Sequence, residues 1–430
     1  MRKGKATERV ARPMVGIKPV VMVPDEKARA YAESSAPARE EPDGPTLHAT
    51  NEMRRFATPW SVAIARAKLL ASTQLPPGLI LDPACGSATQ LVALCTLLNR
   101  PGLGVELSGA AAPLAAINLE RSSIWSSGNW TETSRILWGD GTMAESILQT
   151  YHQSIGATTT VALLHIDPAR PQDAQQHTLE EMQPRLDHLL ASWAPFLSRE
   201  PALILDLSPR LSDAQRMEVD DLVSSIWNDI PRTWQWMTQG RGRIDRLSLW
   251  VGPAADSESH RLARLLANGE LSLLSGTPEN SVVGEPKIEV GNHLTIVDPS
   301  LVASGLTESW RNLAVKEGPS DWLKLTGRRP TFISSEALPN LEEVRDFIQI
   351  SGEIVETAPE VSFETLSILA AIAHTANLSN LKLRCRIDPD LQPKLQSALD
   401  RELKQFESTS TAAQGFITEA GEGYVICRQA

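Results

Sequence analysis

Four cysteines in 430 residues, Cys85, Cys95, Cys385 and Cys427, form no CxxC pair and no Cys/His set at zinc spacing. A disulfide framework and a structural metal are therefore not expected, and the four read as reduced thiols. No apolar run reaches the ~18 residues that a membrane span needs. The basic start MRKGKATERVAR has no apolar stretch behind it, so a soluble, cytoplasmic protein is expected. Positive charge is also short: 41 Lys and Arg stand against 52 Asp and Glu, a formal net charge of -11. That balance excludes a protein that coats nucleic acid through a broad basic surface, and leaves only local patches for such contacts. Neither a GxGxxG turn nor a GKS or GKT phosphate loop occurs, which argues against a dinucleotide and against a nucleoside triphosphatase. The eight His show no HExxH or other metal-ligand spacing.

What the chain does have begins after residue 48. Residues 1–48 are rich in Ala, Pro, Lys, Arg and Glu with little apolar periodicity, the composition of a flexible segment, and carry an early basic cluster of Arg2, Lys3, Lys5, Arg9 and Arg12. From Thr58, Pro59 and Ser61 act as start signals for a helix over SVAIARAKLLAS. Gly78 opens LILDPACGSATQLVALCTLL, a strand, a tight turn and an amphipathic helix in one unit. GLGVEL, RILWGD, VALLHID and PALILDL read as further strands separated by helical stretches, which indicates a parallel sheet built from crossovers. TWQWMTQ and RIDRLSLWVG read as a closing pair. Beyond Pro253 the alternation is lost. HRLARLLANG is expected to be a short helix stopped by Gly269, LEEVRDFIQISG and DLQPKLQSALDRELKQF amphipathic helices, and LKLRCRI and GYVICR strands. The expected division is a catalytic domain over 49–253, a connecting α/β region over 254–320 and a second domain over 321–430.

In an open parallel sheet the ligand crevice lies at the carboxyl ends of the strands. Four of those ends carry acidic or glycine-bearing turns: Asp82 to Ala88, Glu106, Asp140 and Asp167. Gly86 lets a backbone approach a ligand. Glu106, twenty residues further on at a strand end, can accept hydrogen bonds from both hydroxyls of a ribose. With no phosphate loop, the expected cofactor is a nucleoside without a phosphate chain, and S-adenosylmethionine fits: its amino-acid part against the glycine turn, its ribose at Glu106, its adenine at Asp140. The run Asp167–Pro168–Ala169–Arg170 is the expected reaction centre. Asp167 and the Ala169 carbonyl would orient an acceptor amine, and Arg170 would pair with a phosphate or stack on a base.

At these residues the chain resembles a known family. DPACGSA, GVELS, the GD ending at Asp140 and IDPAR look like class I S-adenosylmethionine-dependent methyltransferases that modify amino nitrogens. ATPWSVAIARAKLL, DPAR, LSPR at Leu207 to Arg210, LSLW and VDPSLVASGL are similar to methyltransferases with a C-terminal THUMP-like domain, akin to RNA cap guanine-N2 methyltransferases. The resemblance spans roughly residues 56–430. It implies a Rossmann-like seven-stranded methyltransferase sheet, a C-terminal mixed α/β THUMP-like domain that binds RNA, and an RNA substrate, tRNA first, with guanine N2 favoured. It gives Thr58 and Pro59 to the cofactor or substrate entrance, Asp82, Ala84 and Gly86 to the methionine part, Glu106 to ribose, Asp140 to adenine, and Asp167 to Arg170 to the acceptor. Three positions depart from the family pattern: Ala169 for the second proline, Pro171 for a second arginine, and Ala88 for a third glycine.

The second domain carries 11 Lys or Arg against 16 Asp or Glu over 321–430, yet its cations are clustered. Lys324, Arg328 and Arg329 form one group; Lys382, Arg384 and Arg386 alternate on one face of a strand, where they either follow a phosphate backbone or form a solvated strand face. Arg241, Arg243 and Arg246 form a third patch. Trp60, in the entrance segment, is a candidate to stack on a flipped base or a core residue; Trp193, Trp227 and Trp250 read as packing residues, and His165 as a satisfied interior residue. Two other functions compete with RNA methylation: a non-catalytic RNA-binding protein that keeps the cofactor fold, and a methyltransferase acting on a protein or small-molecule amine.

Overall fold

A computed structural model describes residues 17–125, 128–168, 178–240, 242–406 and 412–429. The elements of the first part are β1 (Val20–Val21), α1 (Glu26–Ser35), β2 (Arg39–Glu40), β3 (Thr46–Leu47), α2 (Asn51–Phe56), α3 (Trp60–Ala71), β4 (Leu79–Asp82), α4 (Thr89–Leu98), β5 (Gly102–Glu106), α5 (Ala112–Trp125), α6 (Trp130–Thr133), β6 (Arg135–Trp138), α7 (Ala144–Ile155), β7 (Val161–Ile166), α8 (Leu186–Trp193), β8 (Ala202–Leu207) and α9 (Asp213–Ile226). There follow β9 (Arg232–Thr238), β10 (Arg246–Val251), β11 (His260–Leu265), β12 (Leu271–Gly276), β13 (His293–Val297), α10 (Pro299–Ala303), α11 (Thr307–Ala314), β14 (Ser320–Lys324), β15 (Thr331–Ser334), α12 (Glu342–Arg345), β16 (Ile348–Ala358), α13 (Leu366–Thr375), β17 (Leu378–Leu383), α14 (Gln392–Leu403), β18 (Ala413–Ala420) and β19 (Gly423–Gln429). They form two compact units, residues 1–232 with 248–256, and residues 233–247 with 257–430.

The first unit is a Rossmann-like α/β sheet in the order β1-β6-β5-β4-β7-β8-β10. Strands β4 to β8 pair in parallel, and their near-continuous burial is what a sheet covered on both faces requires. The chain moves outward from β4 to β6 and returns to β7 beside β4, so β4 and β7 flank the topological switch point. Apolar positions of α3 and α4, including Ala63, Ala67, Leu70, Leu91 and Cys95, share one core cluster with Ile80, Ile136, Leu163 and Ile204 from the strands.

The expectation of a flexible segment over residues 1–48 is corrected for residues 17–48. Val20 and Val21 pair antiparallel with Trp138 and Leu137. Helix α1, capped by Asp25, buries Ala32 and Ala36 against Leu114 and Ile117 of α5. Ion pairs Arg29–Glu120 and Arg121–Glu33 flank that contact. The composition is polar because α1 buries only one stripe of alanines, too small a signal for periodicity. The early basic cluster lies outside the described residues.

The second unit holds a mixed seven-stranded sheet, β14-β15-β13-β16-β19-β18-β17. Helices α13 and α14 share a core with one face of β17, β18 and β19. Strand β13 pairs with both β15 and β16, so this sheet begins at residue 293, and the expected edge at 321 falls inside β14. Two expected helices are strands. HRLARL is β11, antiparallel to β12 across the turn at Gly269 and parallel to β9; LEEVRDFIQISG has one helical turn and then enters β16. In β11 cross-strand pairing overrides a sequence of good helix formers, whereas β16, with Ile348, Ile350, Ile354, Val355 and Thr357, is β-branched and follows the helical turn directly. No helix of the described residues is long and apolar enough to cross a membrane.

Candidate active site

The carboxyl edge of the first sheet gathers most of the carboxylates expected there. Asp82 ends β4 and accepts from the Ala84 amide at 3.1 Å, which fixes the turn that follows. Gly86 is left-handed, with φ of 54°, and space lies open where a side chain would project. Its amide donates to the Glu106 carboxylate at 2.9 Å, while the other Glu106 oxygen accepts from the Ser108 amide at 2.7 Å. Burial pushes the Glu106 carboxyl up, opposed by those N–H donors. Ala88, also left-handed at φ 62°, caps α4 where glycine is expected. Asp140 follows β6 and accepts from both the amide and the hydroxyl of Thr142, at 2.9 and 2.7 Å. A side chain at Gly141 would collide with the Pro83 carbonyl, so the turns after β4 and β6 are pressed together there.

Asp167 and Pro168 follow β7 immediately, Asp167 half-buried and Pro168 buried. Ala169, Arg170 and Pro171 lie outside the described residues. Gln90, at the start of α4, donates to Asp167 at 2.8 Å and to Asp206 at 3.2 Å. Thr58 is buried before α3, and Pro59 is exposed at its N-cap. Helix α3 brings in Arg66, whose guanidinium grips Asp206 bidentately at 2.5 and 2.7 Å and donates to Gln90 at 2.5 Å.

Directly beneath this edge lies a buried charge cluster. Strand register puts Leu81 opposite Leu164 and His165 opposite Ile204. Side chains alternate, so Asp82, His165 and Asp206 share one face of three adjacent strands. His165 Nδ1 is 2.9 Å from Asp82 and Nε2 is 3.2 Å from Asp206. A neutral imidazole can donate from one nitrogen only; carboxylates on both sides call for the imidazolium. Burial disfavours that charge, but Asp82 and Asp206 overcome it and raise the His165 pKa to about 10. Burial likewise works against the Asp206 carboxylate, and Arg66 and His165 outweigh it, holding Asp206 far below the usual range. Two buried cations thus balance two buried anions.

His165 was expected to be a satisfied interior residue, and it is buried with both nitrogens paired. Arg66, Gln90 and Asp206 were not singled out. The available signal was a lone Asp inside the apolar run LILDL and a lone Arg inside SVAIARAKLL. Asn118 was also missed. Buried on α5, it donates to the carbonyls of Ser87 and His48, at 2.9 and 2.8 Å, and accepts from the His48 amide at 2.6 Å.

Trp60 is 3% exposed and packs in the core, so it does not stack on a flipped base. Trp193, Trp227 and Trp250 are buried. All four cysteines are free and buried. A cavity of about 510 Å³ is lined by residues including Met22, Tyr31, Gly109 and Pro113, just past the turn after Glu106.

No family model matches the chain, and no curated protein matches it. Among solved structures, the chain is similar to a candidate class I S-adenosylmethionine-dependent methyltransferase from Listeria monocytogenes, at 16% identity and a TM-score of 0.30, covering 46% of this chain and 61% of that one. It is similar to precorrin-6y C5,15-methyltransferase from Geobacter metallireducens, at 10% identity and a TM-score of 0.32, covering 50% and 98%. It is similar to a candidate RNA methyltransferase from Pyrococcus horikoshii, at 11% identity and a TM-score of 0.31, covering 53% and 97%. Likeness at this level decides neither an activity nor a substrate.

Proposed function

We propose that this chain is an S-adenosylmethionine-dependent methyltransferase that modifies an amino nitrogen of a base in RNA, tRNA being the first substrate to examine and guanine N2 the first atom. The observation that carries the reading is the closure of Glu106 onto the Gly86 amide at the switch point, beside the Asp167 loop. Open space at left-handed Gly86, a carboxylate at the end of β5 and another after β6 fit a nucleoside cofactor whose amino-acid part lies against the turn. When bound, that cofactor supplies an electrophilic methyl on a sulfonium.

The residues of the chain divide the remaining work. Asp82 and the turn through Ala84 and Gly86 hold the methionine part; Glu106 accepts from the ribose hydroxyls, and Asp140 from the adenine amino group. Thr58 and Pro59 belong to the entrance ahead of α3. Asp167 accepts an N–H of the acceptor amine and keeps its lone pair aligned with the methyl, which is catalysis by positioning. Gln90 fixes Asp167, and the charges below fix Gln90. The Ala169 carbonyl and Arg170 complete the acceptor site in this reading, and the second unit binds the RNA.

Isothermal titration with S-adenosylmethionine tests the cofactor part: binding is expected in the native chain and lost in Glu106→Ala. Mass spectrometry of tRNA nucleosides from a deletion strain tests the acceptor part, with one methylated base expected to disappear. An unchanged nucleoside profile of both tRNA and ribosomal RNA beside intact cofactor binding would overturn the RNA substrate and leave the protein or small-molecule amine.

A further inference from the structure

Four charged side chains beneath the carboxyl edge of the first sheet, Arg66, Asp82, His165 and Asp206, are each at most 3% exposed. They form one ladder. Asp82 lies 2.9 Å from His165 Nδ1, His165 Nε2 lies 3.2 Å from Asp206, and Asp206 accepts from the Arg66 guanidinium. Both ends of the ladder reach the crevice. Asp82 also accepts from the Ala84 amide of the glycine turn, while Gln90, which accepts from Arg66 and donates to Asp206, donates to Asp167 as well. The ladder therefore spans from the turn proposed to hold the methionine part to the carboxylate proposed to hold the acceptor.

Charge within the ladder is balanced, Arg66 and His165 against Asp82 and Asp206, whereas Glu106, Asp140 and Asp167 add further carboxyl groups along the same edge. Methyl transfer changes the charge of the bound compound at this edge. The S–C bond pair stays with sulfur, the acceptor lone pair forms the new N–C bond, and the acceptor nitrogen releases a proton to solvent. A sulfonium cation thus becomes a neutral thioether, S-adenosylhomocysteine, while the adenosine and amino-acid parts are unchanged. Buried charges are screened far less than exposed ones. At the effective dielectric of about 20 that suits buried sites, a unit charge alters the affinity for another charge several-fold even across about 10 Å.

We propose that Arg66 and His165 set how strongly the site prefers the sulfonium cofactor to its demethylated product: the two buried cations hold down the preference that an edge of carboxylates alone would have. In this reading they act through their charge and touch neither compound. Asp206 works in the opposite sense, because its anion offsets theirs. The proposal rests on the cofactor part of the function proposed above and is independent of its RNA part.

The test is calorimetric titration of the full chain with S-adenosylmethionine and, separately, with S-adenosylhomocysteine at pH 7, read as the ratio of the second Kd to the first. The two compounds share every group but the methyl, so a variant that merely loosens the turn weakens both and leaves the ratio in place. R66M removes a cation and is expected to raise the ratio at least about threefold; D206N removes an anion and is expected to lower it at least about threefold. The double variant R66M/D206N is expected to return to within about twofold of the native ratio. H165Q removes the other cation and is expected to raise the ratio as R66M does, an independent arm should R66M lose its fold by circular dichroism. K68M removes an exposed cation from the same helix and is expected to leave the ratio within about 1.5-fold of native. Unchanged ratios in the folded ladder variants, or shifts of one sign in R66M and D206N, would overturn the proposal and leave the cofactor reading intact. Failure of the native chain to bind either compound would overturn both.

Discussion

The Gln90 side chain donates to Asp167 at 2.8 Å, tying the first turn of α4 to the loop that follows β7. One amide therefore links the helix behind the glycine turn to the proposed acceptor site. Gln90→Ala removes a hydrogen bond to a carboxylate, an interaction of about 1.5–3 kcal/mol. The expected outcome is a ten- to hundredfold lower kcat for methyl transfer, with S-adenosylmethionine affinity changed less than threefold. Steady-state kinetics on the native acceptor, together with cofactor titration, check this; an equal loss in cofactor affinity would place Gln90 in the cofactor site instead.

Asp206→Ala leaves Arg66 and His165 without their shared anion in a buried setting. Breaking a buried pair by removing one partner costs about 3–5 kcal/mol. Denaturant melts should show a loss of that order. Arg66→Met in the Asp206→Ala background should recover part of it, because an uncompensated charge is removed.

The pH dependence follows from His165. Its pKa rises from 6.5 to about 10 on folding, so the folded chain holds a proton between those values that the unfolded chain releases. The stability contributed by His165 is thus complete below about pH 6.5 and is lost as pH rises through about 10. Thermal melts of the native chain should fall across that alkaline window. His165→Gln should be less stable at pH 6 and show a flatter profile between pH 7 and 10.

Gly86→Ala probes the turn. A left-handed alanine costs about 1–2 kcal/mol, and its side chain would meet no protein atom. The expected result is a folded protein with a modest drop in Tm and a far larger loss of S-adenosylmethionine affinity, read by calorimetry. A drop in Tm with unchanged affinity would show that the cofactor does not approach Gly86.

Much of the first unit was legible in the sequence because its strands are apolar runs that end in acidic or glycine-bearing turns, a local signal. Asp82, Glu106, Asp140 and Asp167 all fall at the expected carboxyl ends. The cluster beneath them was not legible. His165 lies 83 residues from Asp82 and 41 from Asp206, and such pairings depend on strand order and register, which no local window contains. The strand at His260 was misread for a related reason: its leucines, alanine and arginines favour a helix locally, and only their neighbours in the sheet make them extended, whereas the strand at Ile348 was masked by the helical turn Glu342–Arg345 just before it. The docking of α1 was hidden by its alanines, which bury little area yet fit closely against α5.

Asn118 uses both ends of its amide on other parts of the backbone, with the Ser87 carbonyl on one side and His48 on the other. It reads no side chain at either place, so Asn118 constrains the path of the main chain, while His48 is held through its own buried ring, 2.7 Å from the Ala36 carbonyl. A descendant of this sequence that lost or rerouted the segment around His48 would strand a buried amide next to the glycine turn. Residue 118 and the length of the leading segment are therefore expected to change together among relatives, a covariation between one side chain and an insertion or deletion rather than between two side chains.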